Sequence, residues 1–269
     1  MRDGFLRVAA ATPSVRVADP AYNREQIETI IRSEAARGTK VLVFPELALS
    51  AYTCGDLFLQ DALQEAVLRE LRQLLHNTAD SEVLCFVGLP FAFENRLYNA
   101  VAVFQKGELL GLVPKLHIPN YGEFYERRYF TPGFEAPVLV PLFGERLPFG
   151  ARLLFSCESL PELKIGVEIC EDLWVPNAPS IDLCTAGATL IVNCSASNAL
   201  AGKRKARREL VKAQSSKLIA GYVYASAGEG ESTQDLVFSA HNLIAEAGEV
   251  LAESPLLTNT VVASELDLK

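Results

Sequence analysis

Apolar residues recur along this chain in two rhythms. FLRVAAA, KVLVFPEL, LKIGVEIC, TLIVNCSAS and YVYASAG are short runs rich in Val, Ile, Leu and Ala, the pattern of buried strands. Between them lie segments whose apolar positions fall three and four apart. DPAYNREQIETIIRSEAARG puts Ile27, Ile30 and Ile31 on one helical face and stops at Gly38. Residues 61–76 repeat that spacing with Ala62, Val67, Leu68, Leu71, Leu74 and Leu75. A long helix is predicted over 205–220, and NAPSIDLCTAGA reads as a shorter one.

Elsewhere the rhythm changes. EVLCFVGLPFAF and RLYNAVAVFQKGELLGLVPK predict adjacent strands turning at Lys106-Gly107. DLVFSAHNLIAE and GEVLAESP predict a second pair turning at Ala247-Gly248, and TVVASELDL a closing strand. A loop rich in Tyr, Gly, Pro and Phe occupies 118–135. No Pro/Gly/Ser linker divides the sequence and no repeat is visible. The pattern predicts a single domain over 1–269, α/β or layered α+β, with helices covering sheets whose number stays open.

Composition narrows the function classes. The 269 residues suffice for a sizeable core, and 49% hydrophobic with 22% charged residues excludes long disorder. A formal charge of −8 argues against a nucleic-acid surface, with GKRKARR at 202–208 as a local exception. The six cysteines form no CxxC pair, and the three histidines lie far apart with no HExxH, so a zinc site is weakly supported. Cysteines within runs such as VLCFVG suit reduced core thiols. The start, MRDGFLRVAAATPS, carries an acid at position 3 and Arg7, a poor secretion signal, and no apolar run is long enough to span a bilayer. The expectation is a cytoplasmic protein with no membrane or nucleic-acid partner.

Chemistry concentrates at strand ends. Glu46 ends one apolar run, Lys115 another, and Cys170 a third at a strand-to-helix junction; Glu126 sits in the aromatic loop YGEFYERRYF. Side chains at strand ends often share a crevice. Taken singly, each has a plainer explanation. Glu46 and Lys115 could be the first solvated residues after their strands, and Cys170 a core thiol. Asp172 could be a cap, Glu171 a surface carboxylate, Tyr121 and Tyr125 loop packing, and GKRKARR a solvated helix start. Acids flanking Cys170 would also raise its thiol pKa.

Taken in order, the motifs are more specific. FPELxLxxY, VPKxxxPNYxEFYExRxFxPG and a GVxI strand running into CEDLWxP resemble the nitrilase superfamily, which carries a Glu–Lys–Cys triad in this chain order. HIPNYGEFYERRYFTPG, GVEICEDLW, NCSASN and YVYASAGEGESTQDLVFSAHN resemble the glutamine-hydrolysing domain of bacterial glutamine-dependent NAD synthetases. The resemblance covers nearly the whole chain and implies a four-layer α-β-β-α sandwich. It implies Cys170 as nucleophile, Glu46 as general base, Lys115 as cationic partner and Glu126 as a second carboxylate positioning Lys115 or water. It assigns Glu171, Tyr121 and Ser197 to the amino-acid end of the substrate. Lys203 stands where relatives often carry Arg against the substrate carboxylate; a point charge there implies weaker binding or replacement by Arg204. Glu168 and Asp172 read as structural.

A lysine ammonium about 4 Å from a thiol would favour the thiolate by roughly 4 kcal/mol, on the order of three pKa units. Glu46 can also take the proton during attack, so a standing thiolate is not required.

The implied reaction is hydrolysis of L-glutamine to glutamate and ammonia through a thioester. No cofactor is expected in this chain. It has no GxxxxGK[ST] and no Gly-Gly pair, hence no SGGxDS motif of the ATP-pyrophosphatase type. ATP, Mg and deamido-NAD are then expected only with an ATP-dependent NAD synthetase domain absent from this chain, SELDLK reading as the end of the first domain. A homo-oligomer is also implied. Two alternatives stand beside this reading: an amidase on another small linear amide, and a non-catalytic assembly module.

Overall fold

The computed structural model describes residues 4–268. The first half of the chain gives β1 (Phe5–Ala11), α1 (Pro20–Ala36), β2 (Val41–Val43), α2 (Asp61–Asn77), β3 (Leu84–Phe93), β4 (Arg96–Gln105), β5 (Glu108–Pro114), β6 (Asn120–Tyr121) and β7 (Phe124–Tyr125). Next come β8 (Val138–Leu142), β9 (Glu145–Phe149), β10 (Phe155–Cys157), β11 (Leu160–Ile169), α3 (Pro179–Thr185) and β12 (Leu190–Ser195). The last part gives α4 (Lys203–Leu218), β13 (Gly221–Ser226), β14 (Leu243–Glu246), β15 (Glu249–Glu253) and β16 (Val261–Asp267).

Two large sheets result, ordered β16-β1-β2-β3-β4-β5-β9-β8 and β10-β11-β12-β13-β14-β15. Alternation along the strands sets the layers. Leu6, Val8, Val41, Val43, Val101 and Val103 of the first sheet meet Ile165, Val167, Leu190, Val192 and Val223 of the second in one apolar cluster between the sheets. The opposite face of the first sheet, with Ala9, Leu42 and Val87, packs on Ile27 and Ile31 of α1 and on Val67, Leu71 and Leu74 of α2. The outer face of the second sheet, with Ile191, Tyr222 and Tyr224, packs on Leu183 of α3 and Val211 of α4. The order is helix, sheet, sheet, helix, the four-layer sandwich expected from the motifs.

Local chemistry explains most boundaries. Asp19 caps α1 by accepting from the Tyr22 N–H at 3.1 Å, and Pro20 opens the helix. Both predicted hairpin turns have two consecutive positive φ angles, Lys106 at 52° with Gly107 at 79°, and Ala247 at 46° with Gly248 at 90°.

Some boundaries differ from the sequence reading. The helix predicted over 205–220 runs two residues earlier at both ends, because left-handed Gly202 (φ 80°) precedes it and left-handed Ile219 (φ 50°) stops it. Only residues 41–43 of KVLVFPEL join a ladder, since the chain turns at once through the Ala48 N–H to Pro45 O bond of 3.3 Å. DLVFSAHN, expected as a strand, makes a single bridge, Asn198 with Phe238, against the 196–199 segment. Strands β8 to β10 lie in a stretch the pattern left unassigned.

Candidate active site

Four strand ends deliver the site. Glu46 follows β2, Lys115 follows β5, Cys170 follows β11 and Ser197 lies just past β12. The Pro45–Leu47 turn presses against β3 at Gly88, where a Cβ would lie 2.2 Å from Leu47 N and 2.5 Å from Pro45 O. No side chain fits there, so Gly88 is what lets Glu46 turn inward.

Glu46 and Lys115 are both fully buried. Lys115 Nζ donates to Glu46 Oε1 at 2.6 Å and to both oxygens of Glu126 at 2.8 and 2.9 Å. Asn99 Nδ2 also donates to Glu46 Oε1 at 2.6 Å, and the Ala196 N–H to Oε2 at 3.0 Å. Tyr52 donates to Glu126 Oε1 at 2.7 Å. A buried ammonium needs such partners, and the two carboxylates hold the Lys115 pKa well above its usual value against the pull of burial. For Glu126, burial is the largest effect, opposed by Lys115 and reinforced by the Glu46 charge, and its pKa is pushed up to about 7.

Cys170 sits where β11 breaks into a single 3-10 turn, 170–173, with φ at +46°. That left-handed conformation strains a residue with a Cβ and is stored where surrounding bonds over-determine it. Here Asn193 Oδ1 accepts from the Cys170 N–H at 3.2 Å, and Asp172 Oδ2 from the Ile169 N–H at 3.0 Å. Asp172 Oδ1 also takes the N–H and Nδ1 of His117, each at 2.8 Å, tying the segment after Lys115 to the Cys170 turn. Glu168 is buried and accepts from Tyr222 and from the Ser180 N–H. Both acids thus serve donors that hold the Cys170 turn and the α3 start.

Lys115 does not make Cys170 a standing thiolate. Burial raises the Cys170 pKa most, and the Glu46 charge raises it further against the opposing Lys115 ammonium. Lys115 already serves two carboxylates, so its ammonium does not act on the thiol as an isolated charge would. The thiol is therefore the favoured resting form.

The thiol opens on a cleft of about 80 Å³ lined also by Tyr121, Phe124, Glu126, Glu171, Trp174, Ser197 and Lys203. Tyr121, Glu126, Glu171, Ser197 and Lys203 thus share the cleft with Cys170; Glu46 and Lys115 form the buried network behind it, and Tyr125 faces Asp235 outside it. Tyr121 donates to both oxygens of Glu171 at 2.8 and 2.9 Å. Lys203 donates to Asn198 Oδ1 and lies 5.3 Å from the Trp174 ring centre and 5.7 Å from that of Phe124. Arg204 does not substitute for it. Its guanidinium is paired with Glu253 at 2.9 Å.

Sequence reasoning gave no role to Asn99, Tyr52, Asn193 or Arg207. Asn99 had a signal, a lone amide inside the apolar strand RLYNAVAVF, and Tyr52 closes the FPELxLxxY motif. Among the described residues no group of three His, Cys, Asp or Glu side chains is placed to hold a metal ion.

The chain is 41% identical over 265 residues to a glutamine-dependent NAD(+) synthetase of Mycobacterium tuberculosis, covering 98% of this chain and 39% of that protein. Its fold matches the crystal structure of a glutamine-dependent NAD(+) synthetase from Cytophaga hutchinsonii with a TM-score of 0.87 at 27% identity, over 98% of this chain and 43% of that one. An amidase from Nesterenkonia shares the fold alone, with a TM-score of 0.77 at 20% identity over 99% of this chain and 92% of the amidase. The chain thus spans about two-fifths of the length of the curated relatives it matches. The Carbon-nitrogen hydrolase family matches residues 7–269, and this chain belongs to that family.

Proposed function

We propose that this chain hydrolyses the side-chain amide of L-glutamine, with Cys170 as nucleophile, Glu46 as general base and Lys115 as the cationic stabiliser. The observation that carries the reading is the buried Glu46–Lys115–Glu126 network set behind a thiol that opens on a cleft holding both a carboxylate and an ammonium. Glu171, supported by Tyr121, suits the substrate α-ammonium; Lys203 and Ser197 suit its carboxylate.

The steps follow from the protonation states. A carboxylate has about four acceptor positions, and three donors occupy Glu46. One position remains for the Cys170 proton. As sulfur bonds to the amide carbon, Glu46 takes that proton. The oxyanion gathers against the Lys115 ammonium and the Glu171 N–H. Glu46 passes the proton to the leaving nitrogen, the C–N bond breaks, and ammonia departs from a thioester. Water then loses a proton to Glu46 and attacks the thioester carbon; glutamate leaves and the proton returns to sulfur. Glu126 keeps Lys115 in place throughout.

The synthetases that this chain matches are more than twice its length, which supports a division of labour. The ammonia would serve ATP-dependent amidation of deamido-NAD by a synthetase domain outside the 1–269 hydrolase domain. ATP and Mg would bind there, and no cofactor is needed for the steps above. Among the described residues no helix is long and apolar enough to cross a membrane, and all six cysteines are unpaired. Unpaired thiols support a reducing cytoplasmic setting.

Ammonia release by two variants tests the assignment. Lys115→Met should lower kcat by about 10²–10³-fold, the cost of losing one oxyanion donor. Lys203→Ala should act mainly on KM. The reverse pattern would mean that the triad is misplaced.

A further inference from the structure

Arg207, on the second turn of α4, is one of the largest fully buried side chains and is only 1% exposed. A buried guanidinium normally has a carboxylate beside it, because desolvating an unpaired charge is costly. Here the hydrogen-bond partners among the described residues are neutral. Nη2 donates to Ser197 Oγ at 2.8 Å and to Asn198 O at 3.0 Å, and Nη1 lies 2.9 Å from His241 Nδ1. A guanidinium offers only donors, so Nδ1 must be the acceptor and the imidazole is neutral. Its Nε2–H then donates to Glu253 Oε1 at 2.9 Å. Carboxylates reach Arg207 only through a neutral group: Glu253 through the imidazole, already serving Arg204 and Arg208, and Glu123 through Asn198.

The basic run at 202–208 divides by helical spacing. Arg204 and Arg208, four apart, go to Glu253. Lys203 and Arg207, also four apart, turn to the cleft side: Lys203 lines the cleft, and Arg207 sits behind Ser197, which lines it too. With Arg207 occupying the acceptor side of the Ser197 hydroxyl, its proton is free to point into the cleft. Tyr224 Oη, buried near by, is the other acceptor in reach of that proton.

We propose that Arg207 is a positioning and specificity residue: it orients the Ser197 hydroxyl as a donor and supplies, with Lys203, the positive potential that selects amides bearing a carboxylate. The carboxylate is the charge this buried cation lacks. The kinetic part of the inference rests on the glutaminase reading; the electrostatic part does not, and the two are separable.

Alkylation of Cys170 by iodoacetate and by iodoacetamide reads the field without any turnover. The reagents form the same S–C bond with loss of iodide and differ in one negative charge. With labelling followed at Cys170 by peptide mass, Arg207→Gln should lower the iodoacetate-to-iodoacetamide rate ratio at least about fivefold, and raise KM for glutamine at least about tenfold with a much smaller change in kcat. Arg207→Lys should restore part of the ratio, which a purely structural role would not produce. Should Arg207→Gln not fold, Lys203→Met tests the same point in a chain that keeps Arg207. Its ratio should stay above that of a free cysteine. An unchanged ratio in Arg207→Gln, or a fall to the free-cysteine value in Lys203→Met, would overturn the proposal. A lowered ratio in a chain that does not hydrolyse glutamine would uphold it while removing the glutaminase reading.

Discussion

At the scale of single residues, the site is defined by an imbalance. Two buried carboxylates share one buried ammonium, a surplus of negative charge that adds to burial in favouring the Cys170 thiol. The same surplus, with burial, brings Glu126 to about 7. Below that value Glu126 holds a proton and grips Lys115 less firmly. The account predicts that kcat/KM for glutamine rises through neutral pH with a midpoint near that value, and that Glu126→Gln loses this limb along with most activity. A pH–rate profile checks it. An acid limb below about 5, near an ordinary carboxylate, would mean that Glu126 is ionised throughout and does not set the profile. Glu46, Lys115 and Cys170 stood out because each ends an apolar run, but only the motif resemblance grouped them as a triad. Tyr52, Asn99 and Arg207 were not assigned, since nothing local in a sequence says which distant group a buried polar side chain will face.

At the scale of elements, each functional group is held by the break in a regular structure. β2 stops after Val43 so that Glu46 can turn in, and β11 stops at the left-handed Cys170. Gly88 in β3 makes the first break possible. Gly88→Ala should cost on the order of 1–3 kcal/mol of stability, as overpacking does. It should also reduce ammonia release well below the melting temperature, because the Pro45–Leu47 turn must move and carry Glu46 with it. Thermal unfolding and an activity assay at low temperature separate these effects; full activity in a destabilised variant would remove Gly88 from the positioning of Glu46. Helices α1 and α2 and the hairpin turns were readable from periodicity and turn residues. Strands β8 to β10 were not. They form at sheet margins, carry Pro141 and Pro148, and show several exposed positions, so no clean alternation appears.

At the scale of the whole molecule, the site is the seam between the two sheets. Glu46 and Lys115 come from the first sheet and Cys170 and Ser197 from the second, and the Glu46 N–H donates to Ser195 O across the junction at 3.3 Å. The fold class could be read from the alternation of strands and helices, and the four layers from the motif resemblance. The number of sheets could not be read from periodicity, because a strand buried between two sheets and one buried between a sheet and a helix look alike in sequence. Such a seam exists only when the sandwich is assembled, so loss of either sheet would remove the site. The most direct test is ammonia release from L-glutamine by the chain, beside asparagine and simple amides, with Cys170→Ala as the blank. The account predicts glutamine-selective release that Cys170→Ala abolishes while its fold persists. Release retained in Cys170→Ala, or a preference for amides without a carboxylate, would contradict it.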